Sequence, residues 1–129
     1  MGELIIRSGV LVQYQGDDKR VVIPETVRMI GRFAFTNCTS LEEVIIPSSV
    51  HTIFDRAFEG CSSLKSVTIP YTVRSVGSYA FKSCTSLEKV VLPEGVMGTH
   101  ISRDVFEDTP KLTDKNGFVI LGGCLFGYY

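Results

Sequence analysis

The chain has 129 residues, a formal net charge of −1, four cysteines, two histidines and no tryptophan. One domain is expected at this length, burying roughly two-thirds of the surface of its unfolded chain. Interspersed charges of both signs exclude a nucleic-acid binder that works by neutralising phosphates, and no run of ~18 apolar residues is available to form a membrane span.

The first element falls within residues 3–15. Leu4-Ile5-Ile6-Arg7 and Val10-Leu11-Val12-Gln13-Tyr14 are two apolar runs joined by Ser8-Gly9. A two-residue joint of this kind suits a tight antiparallel β-hairpin.

From about residue 20 to 112 the chain repeats itself every 23 residues. Pro24, Pro47, Pro70 and Pro93 mark the period, as do Cys38, Cys61 and Cys84, and Leu41, Leu64 and Leu87. One unit reads V-x-I-P-x-x-V-x-x-I-x-x-x-A-F-x-x-C-x-x-L. Val44, Ile46, Pro47, Val50, Ile53, Ala57, Phe58, Cys61 and Leu64 are one copy. The fourth copy carries two extra residues between Val96 and Ile101, and Thr109 takes its cysteine position. A period of this length signals a stack of units, each too small to bury its own apolar face.

Within a unit, the alternation Val-x-Ile predicts a short strand with one buried face. Proline then ends it, having no N–H for the next ladder rung. Val50-His51-Thr52-Ile53 fits either a second short strand or an extended turn. The three- and four-residue spacings of Ala57-Phe58-x-x-Cys61-x-x-Leu64 predict one helical turn, α or 3-10. Stacking at ~4.8 Å should then align Phe35, Phe58, Phe81 and Phe106 in one buried column. Cys38, Cys61 and Cys84 should form another, as reduced core thiols. Parallel side chains hold Cβ atoms farther apart than the ~3.8 Å a disulfide prefers.

The last element, residues 117–129, matches the first at an offset of 114. Phe118-Val119-Ile120-Leu121 and Cys124-Leu125-Phe126 flank Gly122-Gly123, which predicts a second hairpin. It carries no charged side chain between Phe118 and Tyr129. It is either a cap or the start of a further array, and solenoids need polar caps. Phe118, Ile120, Leu125 and Phe126 are therefore expected to mediate a weak homodimer through an exposed edge. Cys124 is the thiol expected to react.

The spacing Leu41-x-x-Val44-x-Ile46 is the L-x-x-L-x-L of leucine-rich repeats. With the proline after the strand, the A-F-x-x-C-x-x-L segment and the 23-residue period, the chain resembles the BspA-like leucine-rich-repeat family over residues 20–112. The resemblance implies an α/β solenoid, a right-handed stack with a curved parallel sheet, short helical turns and, here, terminal hairpins. It implies a protein-binding or adhesion role at a microbial surface and no catalytic residues. It also implies a cell-surface or secreted location. The N-terminus has no signal-peptide pattern, which leaves the cytoplasm as the alternative.

Candidate sites follow from the same register. Val22, Ile45, Thr68 and Val91 point outward between core positions, with Arg20, Glu43, Ser66 and Lys89 beside them. β-Propensity alone favours branched residues there. An apolar stripe rimmed by charge also marks a protein-contact surface, and these eight residues are taken as the partner-binding face. The rival role is a structural module that assembles end to end. No zinc spacing, phosphate loop or dinucleotide fingerprint occurs, so no metal, cofactor or enzyme activity is expected. His51 shares its register with Arg28 and Arg74, a solvated position, and His100 lies in the insertion. Gly31 and Gly77 alternate with Phe54 and Ser102, which reads as a turn convenience. Asn37-Cys38-Thr39 fits the N-x-T glycosylation pattern, against a cysteine expected in the core.

Overall fold

The computed structural model describes residues 2–92, 100–101, 104–112 and 118–120. Successive units stack as coils of a parallel-strand solenoid. The described strands are β1 (Glu3–Arg7), β2 (Val10–Gln15), β3 (Arg20–Val22), β4 (Met29–Ile30), β5 (Glu43–Ile45), β6 (Thr52–Ile53), β7 (Ser66–Thr68), β8 (Ser75–Val76), β9 (Lys89–Leu92), β10 (His100–Ile101) and β11 (Phe118–Ile120). Each coil contributes one strand to each of two sheets. One sheet runs β11-β9-β7-β5-β3 and the other β1-β2-β4-β6-β8-β10. The segment left open between strand and extended turn is thus a two-residue strand, as at Thr52–Ile53.

Neighbouring coils pair in parallel with the 23-residue register, Val21↔Val44 and Ile30↔Ile53. The insertion in the fourth unit is absorbed before His100, which pairs with Ser75. Beyond Leu11, successive coils bury the same small and apolar template positions: Val27, Ala34, Phe35 and Leu41 in one, Val50, Ala57, Phe58 and Leu64 in the next. The phenylalanine column forms as expected. Ring centroids from Phe35 to Phe58, Phe81 and Phe106 are 4.8, 5.0 and 5.6 Å apart, with planes within 13° of parallel.

The helical turn is a correction. Residues 32–37, 55–60 and 78–83 are runs of turns, and a 3-10 turn at Pro110–Leu112 is the one short helix among the described residues. The fold is therefore a β-solenoid rather than an α/β stack. The reason lies in the backbone. Phe33, Arg56 and Tyr79 stand at φ 63°, 58° and 59°, and Asn37, Gly60 and Ser83 at 57°, 79° and 60°. A left-handed residue turns its N–H out of the helical direction. Phe58 N–H then donates to Ala80 O at 2.7 Å and Gly60 N–H to Lys82 O at 2.8 Å, both in the next coil. Residues between them bond locally, as Cys61 N–H does to Phe58 O at 3.2 Å. Alternate amides thus bind coil to coil, and a helix would have kept them all to itself.

At the N-terminus β1 and β2 form the expected antiparallel hairpin about Ser8-Gly9, with a bulge between Ile5 and Ile6. Ser8 and Gly9 both have positive φ, 52° and 79°, as a type I′ turn requires. The hairpin does more than cap. β2 pairs in parallel with β4, Leu11↔Ile30, and Tyr14 N–H donates to Ala34 O at 2.9 Å. Tyr14 therefore occupies the phenylalanine position of a shortened coil, its ring 5.4 Å from that of Phe35. At the other end Phe118–Ile120 pairs in parallel with β9, Phe118↔Val90, as a further rung of the five-stranded sheet. The expected return arm, with Leu125, Phe126 and Cys124, lies outside the described residues.

Candidate functional site

The five-stranded sheet has an inner column of Val21, Val44, Val67 and Val90, all buried. Period-two alternation puts the residues on either side of that column outward. The register Arg20↔Glu43, Ser66↔Lys89, Val22↔Ile45 and Thr68↔Val91 brings the eight expected face residues together on one surface. Val22 is 53% and Ile45 37% exposed. Arg20, Glu43, Thr68 and Lys89 are exposed, and Ser66 and Val91 partly so. Arg20 Nε donates to Glu43 Oε1 at 3.1 Å across two coils.

One irregularity was not legible beforehand. β3–β5 and β7–β9 pair over three residues, but β5–β7 pairs at Glu43↔Ser66 alone. Ile23 N–H reaches Ile45 O at 3.1 Å and Ile69 N–H reaches Val91 O at 2.9 Å, with no counterpart from Ile46 to Thr68. The sheet opens there into a shallow depression of about 290 Å³, lined by residues 43–46 and 66–68. It lies in the middle of the expected face, with Ile45 on its edge.

The cysteine column belongs to the core of the stack, with Cys38 packed against it. Cys61 and Cys84 are fully buried, and their thiols donate to Phe35 O at 3.1 Å and Phe58 O at 3.2 Å. Cys38 is only partly buried, a correction, because the shortened first coil carries no side chain over it equivalent to a cysteine. Its hydrogen bond with Cys61, then burial, push the Cys38 thiol well above its usual range. For Cys61 the bond with Cys38 pulls down, but the bond with Cys84 and burial outweigh it, and the net shift is upward. Thiols shifted upward in this way, as at Cys38 and Cys61, are poor nucleophiles and poor metal ligands. All three are free. Among the described residues no three or more His, Cys, Asp or Glu side chains gather as for a metal ion. Asn37 and Thr39 of the N-x-T triplet are exposed, with Cys38 between them half-buried.

Several other surface charges pair along the stack. Arg32 meets Asp55 at 3.9 Å, Glu42 meets Lys65 at 3.8 Å, Lys82 meets Glu107 at 3.5 Å and Glu88 meets Lys111 at 3.8 Å. Arg56 bonds Glu59 within its coil and lies over the Tyr79 ring at 4.5 Å. Gly31 and Gly77 prove to be more than turn conveniences. A Cβ on Gly31 would stand 2.9 Å from Leu11 O, and one on Gly77 would meet the backbone of Asp55. The large Phe54 between them is half-exposed and flanked by glycine on both sides.

The comparisons agree with the stack. The BspA type leucine rich repeat region model matches residues 13–118 in six copies, and the chain belongs to that family. A leucine-rich repeat protein from Bacteroides ovatus is 44% identical over 68% of this chain, with a TM-score of 0.61. A leucine-rich repeat protein from Eubacterium ventriosum has the same fold at 22% identity and a TM-score of 0.68, over 88% of the chain. The T. pallidum leucine rich repeat protein does so at 23% and 0.66, over 96% of this chain and 79% of its own. The chain spans 22% of the Bacteroides protein and 36% of the Eubacterium one. No curated protein matches it.

Proposed function

We propose that this chain is a non-catalytic protein-binding module whose partner docks on the outer face of the five-stranded sheet. The observation that carries this reading is the exposed Val22–Ile45 pair beside the opened β5–β7 junction, inside a rim of Arg20, Glu43 and Lys89. Apolar centre, charged rim and a recess for an anchoring side chain are the ordinary anatomy of a protein interface. Membership of a repeat family supports binding over catalysis. Family resemblance also supports a role in adhesion or host contact at a microbial surface. The test is the Ile45→Lys/Val91→Lys double variant. Both sites are on the outer face, so unfolding free energy should move by less than about 0.5 kcal/mol each, while partner capture at a microbial surface is lost. A partner that binds this variant normally places the site elsewhere.

A second reading has its own observation. β3 and β11 terminate the five-stranded sheet among the described residues, and edges with unpaired amides recruit strands. Weak self-association through Phe118, Ile120, Leu125 and Phe126 would use the β11 end. Sedimentation over a range of concentrations separates the readings: a monomer throughout removes the second.

A further inference from the structure

The first strand of the chain has one side in use and one side open. β1 bonds β2 on one side. It also ends the six-stranded sheet, so its other side carries no strand among the described residues. Leu4, Ile5 and Ile6 are each partly buried, Leu4 and Ile6 against the core, and the exposed Glu3 and Arg7 close the strand at its two ends. Bulges and charges commonly blunt such edges. Here the pairing jumps from Ile5↔Gln13 to Ile6↔Leu11, so the extra residue is Val12 in β2 and β1 keeps a regular edge. The chain also shows what a strand of this kind pairs with. Leu4-Ile5-Ile6 matches Phe118-Val119-Ile120 at the offset of 114, and Ser8-Gly9 matches Gly122-Gly123. The second occurrence, β11, stands behind a stack rather than in front of one. It pairs in parallel with β9 over three residues, Phe118↔Val90, Val119↔Val91 and Ile120↔Leu92. Three apolar residues are also what lies between the charged ends of β1.

We propose that the open edge of β1 is a joint between stacks. It receives, in parallel, the last strand of the five-stranded sheet of another stack of the same repeat type, with Leu4, Ile5 and Ile6 in the places of Phe118, Val119 and Ile120. The partner is a Val-Val-Leu-Pro strand like residues 90–93, with its outer edge uncovered, in the register Leu4↔Val90, Ile5↔Val91 and Ile6↔Leu92. Strand addition of this kind draws its affinity from main-chain hydrogen bonds and its register from the side chains. Parallel neighbours cannot be joined by a tight turn and need a crossover. A preceding stack brings its strand with that crossover already folded. A second copy of this chain does not offer the strand, because its β9 is covered by its own β11. The joint is therefore separate from weak self-association through the β11 end. The chain alone can be a strict monomer and still carry it.

Two proteins test the joint, both read by amide hydrogen exchange. In the full chain, Phe118→Leu/Val119→Ile gives β11 the sequence of β1. Exchange at residues 118–120 should stay within about threefold of the parent, because the β1 sequence fits against β9. In the second protein, residues 1–117 are followed directly by residues 4–129 of a second copy. That molecule holds Leu4-Ile5-Ile6 twice, once with a stack before it and once without. The copy behind the stack should exchange about tenfold more slowly, or slower still, than the copy in front. Equal exchange at the two copies overturns the proposal. So does a long chain that does not fold, since the junction is its one new element. Loss of protection at residues 118–120 in the substituted full chain overturns it independently. Exchange at residues 4–6 of the parent should not change with its concentration; slowing there would give the edge to a second copy and overturn the assignment to a preceding stack.

Discussion

The aromatic column inside the stack and the charged columns on its surface obey opposite rules. Inside, Phe35, Phe58, Phe81 and Phe106 repeat one residue in one pose. Identical apolar rings attract at stack spacing, and each coil needs the same shape to interlock with the next. Outside, identity repels. Lys19, Glu42, Lys65 and Glu88 share a column with alternating sign, and Lys65 and Glu42 approach to 3.8 Å. Sameness stabilises the interior of a stack and alternation its surface.

The sharpest way to break this contrast is Phe58→Ala. Removing the middle ring opens a cavity with aromatic neighbours on both sides, and urea unfolding should show a loss of ~3–5 kcal/mol. A loss near 1 kcal/mol would mean that the column is decoration. Ser83→Gly addresses the turns between the columns. Ser83 holds φ 60° where the preceding coil has Gly60 at 79°. A left-handed non-glycine residue costs roughly 1–2 kcal/mol, and the exposed Ser83–Asp108 bond of 2.9 Å offsets part of it. A net gain of ~1 kcal/mol is expected in the same assay. Glu42→Lys places three lysines in line on the surface. It should destabilise by no more than ~1 kcal/mol, and the loss should shrink in 1 M salt, where the Debye length is about 3 Å.

A final measurement reads the N-terminal hairpin. The Tyr14 hydroxyl donates to Asp18 Oδ2 at 2.7 Å and Gly2 N–H to the same oxygen at 2.6 Å. These bonds, the tyrosine first, hold the Asp18 carboxyl below its ordinary 3.8. A carboxyl lowered in the folded state adds stability above its ordinary value and loses it as pH falls through the folded value. Melting temperature should therefore drop below pH 4 in the parent, and less steeply in Asp18→Asn. Parallel curves would show that this anchor does not matter.

The parallel stack was readable because a 23-residue identity leaves few other solutions. The turns were misread because Ala57-Phe58-x-x-Cys61-x-x-Leu64 has the same three- and four-residue spacing in a helix and in consecutive turns. What decides between them is positive φ at Phe33, Arg56 and Tyr79, residue types that give no hint of it. Tyr14 was missed as the fifth ring because it stands 21 residues before Phe35 and not 23. The outward strand positions followed from alternation. The opened junction at β5–β7 did not, since Ile46 and Thr68 look like their counterparts on either side.

The glycine–phenylalanine–glycine column has an evolutionary corollary. Gly31 and Gly77 leave no room for a Cβ against the coil before them, whereas Phe54 occupies the same position on the coil between. Lys19, Glu42, Lys65 and Glu88 alternate over the same coils. The lysine–glutamate alternation returns after two coils, and so does glycine, from Gly31 to Gly77. Deleting one coil would set lysine on lysine and bring two glycines together over a void. Deleting two would keep lysine beside glutamate in that column, while in the next it would set Arg20 beside Lys89. For the lysine–glutamate column, the unit that can be copied or lost without repair is the coil pair.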